Sequence, residues 1–301
     1  MHMKNRNSSK KREHTSIGVI LFFVIFGVCC LIPFLTVISI SLTSPQTISD
    51  HGYSVLPREF YLTGYATVFQ SPKVVLDAYK ATTIVTVAHT FLSVLVSSAF
   101  AFVLARIAGS KIGNILSFYI YIPVLFSGGL FAGYIVVTKM LGLTDSWWAL
   151  ILPGCVAPFN IFMIRTFIRQ QPASLFEAAK IDGAGEITLF RVIALPLAKP
   201  AIATVAFNVA LGTWNSWYGS MIYIRTKSKI TLQHMLQRML MEMEDVMNQM
   251  SGDAVGLEVA TIPTEAFRMA MVIVTIGPMM LLFPFFQKYF IKGMVVGAVK
   301  G

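Results

Sequence analysis

Six stretches of this chain contain no Asp, Glu, Lys or Arg, and they most constrain what it can fold into. They run over residues 17–40, 81–105, 114–138, 147–164, 201–224 and 269–286. Each approaches the roughly 20 apolar residues that a helix needs to cross the hydrocarbon of a bilayer. Only 13% of the residues are charged, about half the share of an ordinary soluble domain. The pattern predicts an all-α polytopic membrane protein with six transmembrane helices.

The first run follows the basic stretch KNRNSSKKR at residues 4–12, as a signal peptide would. Its apolar part is too long for one, and no small-x-small cleavage site follows. FGVCC at 26–30 is a poor lipoprotein site, with Val28 where a small residue is needed. A retained span is expected. With the N-terminus inside, fifteen of the 24 Lys and Arg fall on the inner side, with only four of the 14 acidic residues. The excess of basic residues in inner segments sets orientation, so the sequence pI of about 9.6 is a topology signal and calls for no nucleic acid. Both termini and the segment 172–196 are expected in the cytoplasm. The resulting organisation is a basic cytoplasmic tail (1–16), a first span (17–40), an external segment (41–80), a core of five spans (81–290) and a cytoplasmic tail (291–301). An external loop covers 225–262.

Cys29, Cys30 and Cys155 all fall within predicted spans, which suits packing better than a disulfide framework or a zinc site. Within the external loop, Leu232, Met235, Leu236, Met239, Leu240 and Met243 recur at helical steps. That helix either packs on the outer ends of the spans or offers an adaptable methionine face to an external partner. Thr82, Thr86, Thr90, Ser93 and Ser97 share one face of the second span, and Thr204, Asn208, Gly212, Asn215 and Gly219 one face of the fifth. Such faces pack helix on helix or line a polar path. His89 beside the first stripe reads as hydrogen-bonded packing. Several runs carry helix-disturbing residues: Pro123 with Gly128 and Gly129, Pro153 with Pro158, and Pro278 with Pro284.

No phosphate-cradling G-x-x-x-x-G-K-[ST], HExxH, paired-cysteine or G-x-S-x-G motif occurs, so catalysis within this polypeptide is not expected. The runs also lack the carboxylates through which ion-coupled transporters and proton pumps work. Uphill movement of a solute would need energy from another subunit.

Between the fourth and fifth runs stands the charged segment QQPASLFEAAKIDGAGEITLFRVIALP, residues 170–196. Pro172 or Ser174 can start a short helix and Gly183 can end it in a left-handed cap. EITLFRVIALP then forms a second helical stretch, and Pro196 with Pro200 bends the chain into the fifth span. The segment resembles the EAA loop of ABC-importer permeases at Glu177, Ala178, Ala179, Asp182, Gly183, Ile193, Leu195 and Pro196. The layout of six spans, WNSWYGSMIYI at 214–224, the long loop after it and the tail YFIKGMVVGAVKG are similar to the carbohydrate permeases of the maltose-importer type, oligosaccharide group. The first 16 residues lie outside the resemblance.

The resemblance implies a type I ABC-importer permease fold with a cytoplasmic coupling helix. It implies a non-catalytic translocation subunit in a bacterial cell membrane that imports an oligosaccharide by alternating access. The partners implied are a second, related permease, two cytoplasmic ATPases that bind ATP and Mg, and an extracytoplasmic solute-binding protein. No cofactor is expected in this chain. Asn208, Trp214, Asn215, Trp217 and Tyr218 are candidates to touch sugar, although Trp and Tyr also anchor membrane interfaces. An importer of a non-sugar solute, a stand-alone secondary transporter and a membrane scaffold are the competing readings.

Overall fold

A computed structural model describes residues 17–70, 72–252 and 264–298, and every regular element among them is helical. Expectations for the basic N-terminal tail, for residues 253–262 of the external loop and for the last three residues fall outside the described residues. Two compact units are distinguished. Their described parts are residues 17–67 with 264–273, and residues 68–252 with 274–298.

The first unit opens with α1 (Ile17–Ser41), a helix of 25 residues without a charge. Its side chains are largely exposed until Ser39, Ile40 and Ser41, which are buried. Such a surface is stable only in an apolar solvent. Ser44 then caps α2 (Pro45–His51), its hydroxyl accepting from Thr47 N. Glu59 binds the same corner, accepting from Ser44 Oγ, from Thr47 Oγ1 at 2.6 Å and from Ser44 N at 3.3 Å. These bonds to the charged form hold its carboxyl below the usual range. The helix α3 (Thr63–Val68) follows, and Tyr65 shares a hydrogen bond with Ser41.

The second unit is organised around α4 (Pro72–Arg106), 35 residues long without a break, or roughly 50 Å at 1.5 Å per residue. It begins well before the apolar run, so residues 72–80, expected as part of an external segment, are helical. Ala78, Thr82, Val85, His89, Ser93, Ser97, Ala101 and Leu104 mark its buried face at steps of three and four. After it come α5 (Lys111–Leu125) and α6 (Gly129–Ile135), which continues as a π-helical turn over Val136–Met140. Next are α7 (Trp148–Ile151), α8 (Pro158–Arg169), α9 (Ala173–Ile181) and α10 (Glu186–Thr188). A π-helical stretch, Leu189–Ala194, leads into α11 (Leu195–Leu197), α12 (Lys199–Trp214), α13 (Tyr218–Tyr223) and α14 (Leu232–Gly252). Helix α15 (Thr264–Ala298) carries residues of both units. The core is α4 against α8 and α12. Ala101, Phe102 and Leu104 meet Ile161, Ile164 and Ile168 of α8 and Ala201 and Val205 of α12.

Among the described residues, two of the runs, in α1 and α4, form unbroken helices long and apolar enough to cross a membrane, and bent pairs raise the number to four. The third run bends by 113° between α5 and α6. Pro123 lies in the last turn of the first half, which ends at Leu125, and Gly129 adopts a left-handed φ of +75° to start the second. The fourth run is interrupted over residues 152–157, between Pro153 and Pro158. Cys155, expected inside a span, therefore lies in that turn, where its thiol donates to Ile151 O at 2.9 Å. The fifth run breaks after Trp214, and the sixth lies within α15.

The turn before α8 also explains His89. Its Nδ1 lies 2.6 Å from Ile151 O, an acceptor, so this nitrogen carries the proton. Gly154 lies directly against the ring; a Cβ there would come within 2.6 Å of His89 Cε1. Gly154→Ala must push the imidazole off its carbonyl. We expect a loss of about 1–3 kcal/mol, read as a lower thermal midpoint of the detergent-solubilised protein.

Candidate functional site

The charged segment folds into a short helix held from beneath and open above. Pro172 stands at the N-cap of α9 with an extended ψ of 128°, as its ring permits. Phe176 is the one buried side chain of α9, and it enters the same cluster as Leu189, Ala194 and Ile168. Ala179 and Ala184 pack against that cluster. Glu177, Ala178 and Asp182 are exposed, and Ile181 is 86% exposed although apolar.

The helix ends in a Schellman motif. Gly183 has φ +83°, its N–H donates to Lys180 O at 3.0 Å, and Ala184 N–H donates to Ala179 O at 2.9 Å. A side chain at this φ would be strained, so the glycine sets the sharp turn that presents α9. Glu186, just beyond, binds back in two directions. Its Oε1 lies 2.9 Å from Lys180 Nζ and its Oε2 lies 3.5 Å from Arg106 Nε. The Arg106 guanidinium also sits 5.7 Å above the centre of the Phe176 ring, a cation–π distance. The Lys180 hydrogen bond holds the Glu186 carboxyl below its usual range, with the Arg106 charge adding to the effect and partial desolvation opposing it.

Ile193 and Leu195 are half-buried and Pro196 is exposed. The chain then bends by 78° between residues 186–197 and α12, at the two prolines where the sequence predicts it. Along α12 the candidate sugar contacts separate. Asn208, Asn215 and Tyr218 are exposed and Trp217 is half-buried. Trp214 is only 5% exposed, and its indole N–H donates to Thr275 O at 3.0 Å. Trp214 is thereby used in packing, and the exposed polar face runs through the asparagines.

The opposite end of the unit has a different lock. Asp145 takes a left-handed φ of +58°, a conformation that Asp tolerates better than most residues. Its carboxylate accepts from the N–H groups of Arg225 and Thr226 at 3.0 and 2.9 Å, from Thr226 Oγ1 at 2.6 Å and from Lys229 Nζ at 3.1 Å. Those donors, Thr226 foremost, hold it far below the usual carboxylate range. The lock fixes the segment that leads into α14. Leu232 and Met235 of that helix are buried, and Leu232 N–H donates to Thr82 Oγ1 at 2.7 Å.

A family model described as "Binding-protein-dependent transport system inner membrane component" matches residues 97–296. The chain belongs to this family. Protein LplC of Bacillus subtilis (strain 168) is 36% identical over 94% of this chain and 93% of its own length. The polygalacturonan/rhamnogalacturonan transport system permease protein YtcP of the same organism is 34% identical over 93% of this chain and 96% of its own. Among solved structures, a bacterial ABC transporter involved in the import of the acidic polysaccharide alginate aligns with a TM-score of 0.73. It is 26% identical, covering 91% of this chain and 95% of that one. The matched span of this inner-membrane component includes the whole of α9, the Gly183 turn and α12.

Sequence reasoning picked out the exposed residues of α9 and missed what fastens them. Arg106 is 80 positions from Glu186, and Asp145 is as far from Arg225, so no local spacing links either pair. The available signal was that Arg106 is the first charge after a long apolar run. Two outcomes test the site. Gly183→Ala places a Cβ in the left-handed region at about 1–2 kcal/mol, so amide exchange over residues 178–184 should quicken about tenfold. The Glu186 pairs are complete above the ordinary carboxyl pKa of 4.5 and are lost only as pH falls through the lowered folded value. Exchange protection of α9, corrected for intrinsic rates, should therefore stay flat from about pH 8 to about pH 5.

Proposed function

We propose that this chain is the membrane permease subunit of an ATP-driven importer of oligosaccharides. One observation carries the reading: a rigidly capped, exposed helix, α9, is anchored through Phe176 to the packed core of α4, α8 and α12. Its exposed small and acidic residues Glu177, Ala178 and Asp182 suit close approach by a basic cleft, with Ala179 packed beneath them. Separate cytoplasmic ATPase subunits, which bind the ATP and Mg, grip this helix, and closure of their dimer pulls it. The spans alternate between two facings, and the solute moves because each facing binds it differently.

Three further parts belong to the proposal. The chain makes six crossings of a bacterial cell membrane with both termini and α9 in the cytoplasm, an orientation its distribution of Lys and Arg supports. A second, related permease covers the exposed face of α12, where Asn208 and Asn215 would otherwise meet lipid. This face, with Tyr218, is where a sugar would pass. An extracytoplasmic solute-binding protein delivers the sugar to the side that carries Asp145 and α14. An oligosaccharide is favoured as the solute because YtcP, so similar along its whole length, is a polygalacturonan/rhamnogalacturonan permease protein and the aligned solved structure imports alginate.

The test is gentle purification of the tagged chain with its subunits, followed by ATP hydrolysis assays with binding protein and candidate sugars. Two ATPase subunits and a second permease should co-purify, and an oligosaccharide should stimulate hydrolysis. Glu177→Ala combined with Gly183→Asp should reduce ATPase attachment or sugar accumulation at least tenfold. Uptake by the chain alone in liposomes would overturn the reading.

A further inference from the structure

Besides the His89 bond to Ile151 O at its middle, α4 makes directional contacts at both of its ends. At one end its last turn meets three successive elements of the charged segment. Arg106 stands over Phe176 of α9 and pairs with Glu186 of α10, while Phe102 lies 5.4 Å from Phe190 of the π-helical stretch. Glu186 closes the arrangement by pairing with Lys180 on α9. At the other end, Thr82 Oγ1 accepts the first N–H of α14. Beyond it, Lys73, Val74 and Asp77 of α4 face Met235, Arg238, Met239 and Glu242 of α14 across a cavity of about 350 Å³.

Between Thr82 and Arg106 the helix is continuous, covering about 36 Å. The other apolar runs of this unit that the bent pairs describe are interrupted, by 113° between α5 and α6 and by 78° before α12. A bend absorbs displacement by changing its angle. An unbroken hydrogen-bonded helix passes displacement along its axis.

We propose that α4 is the element that carries motion between the two sides of the membrane. Arg106 and Glu186 are positioning residues that make α9 and α4 move as one body, and Thr82 passes the movement to α14. The inference rests on the proposed function and goes beyond it, since gripping α9 does not by itself say which span is driven. Linkage makes the path reciprocal: what ATP binding does to α14, a loaded partner at α14 does to the ATPases.

The test uses the complete complex, with partner permease, ATPases and binding protein, in lipid nanodiscs. The readout is the ratio of solute-stimulated to basal ATP hydrolysis, which a purely structural contact would leave unchanged in any complex that assembles. Trigalacturonate and maltotriose are the first probes. Glu186→Gln, which keeps shape and removes charge, should lower the ratio at least threefold. Thr82→Val should do the same and Thr82→Ser should restore it. In a background with Cys29, Cys30 and Cys155 replaced by Ser, Arg106→Cys with Glu186→Cys is joined by a short bis-thiosulfonate linker. The linked complex should keep its ratio, because the two residues never separate during the cycle. Loss of stimulation on linking, or a normal ratio in both Glu186→Gln and Thr82→Val, would overturn the proposal. A wild type stimulated by an amino acid and by no oligosaccharide would instead overturn the sugar reading, and the ratio would then be read with that amino acid.

Discussion

Charge desolvation decides where this chain can keep its chemistry. A carboxylate or ammonium inside hydrocarbon costs several kcal/mol even when partly relieved, and the six apolar runs carry none. The ion pairs seen among the described residues of the second unit fall at the ends of the helical body: Arg106, Lys180 and Glu186 at one, Asp145 with Lys229 and Arg238 with Glu242 at the other. Singly, such exposed pairs contribute little to stability. Their effect here is geometric. They fix the angle at which α9 leaves the body and the path by which the chain enters α14, the two places where a partner outside the bilayer can take hold.

The same constraint shapes the backbone. Within a bilayer each peptide group must find its partner in the protein, which favours helices and makes every interruption costly. The interruptions fall at residues that lower that cost. Pro158 needs no N–H bond at the start of α8, Pro200 stands in the first turn of α12, and Gly129 supplies a positive φ. α4, with no proline inside it, stays continuous among broken neighbours.

What the sequence made legible was local. The left-handed cap at Gly183, the bend at Pro196 and Pro200, and the helical period from Leu232 to Met239 each depend on residues within one or two turns of one another. The contacts that give those features a function join distant positions. Arg106 with Glu186, Asp145 with Arg225 and Thr226, and Thr82 with Leu232 leave no trace in spacing. Trp214 shows the limit from the other side. An aromatic next to asparagines near the end of a span has the composition of a sugar contact, and only the packed structure reveals that its indole is committed to Thr275 O.

The hydroxyl stripe of α4 bears on how the helix is held. Elsewhere in the helices Thr36, Ser117, Thr138, Thr166, Thr204 and Thr213 donate to the carbonyl four residues back, the usual refuge for a hydroxyl in a helix. Thr86, Ser93, Ser97 and Ser98 are buried and have no protein partner among the described residues. Each such group carries a penalty of about 1–3 kcal/mol unless water satisfies it, which an alanine at the same place would avoid. Small polar side chains do let helices approach closely, and they interlock far less than Leu or Phe would. The stretch of α4 around Ser93, Ser97 and Ser98 is consequently held by proximity, while His89, bonded to Ile151 O, and the contacts at Thr82 and at Phe102, Leu104 and Arg106 fix its position.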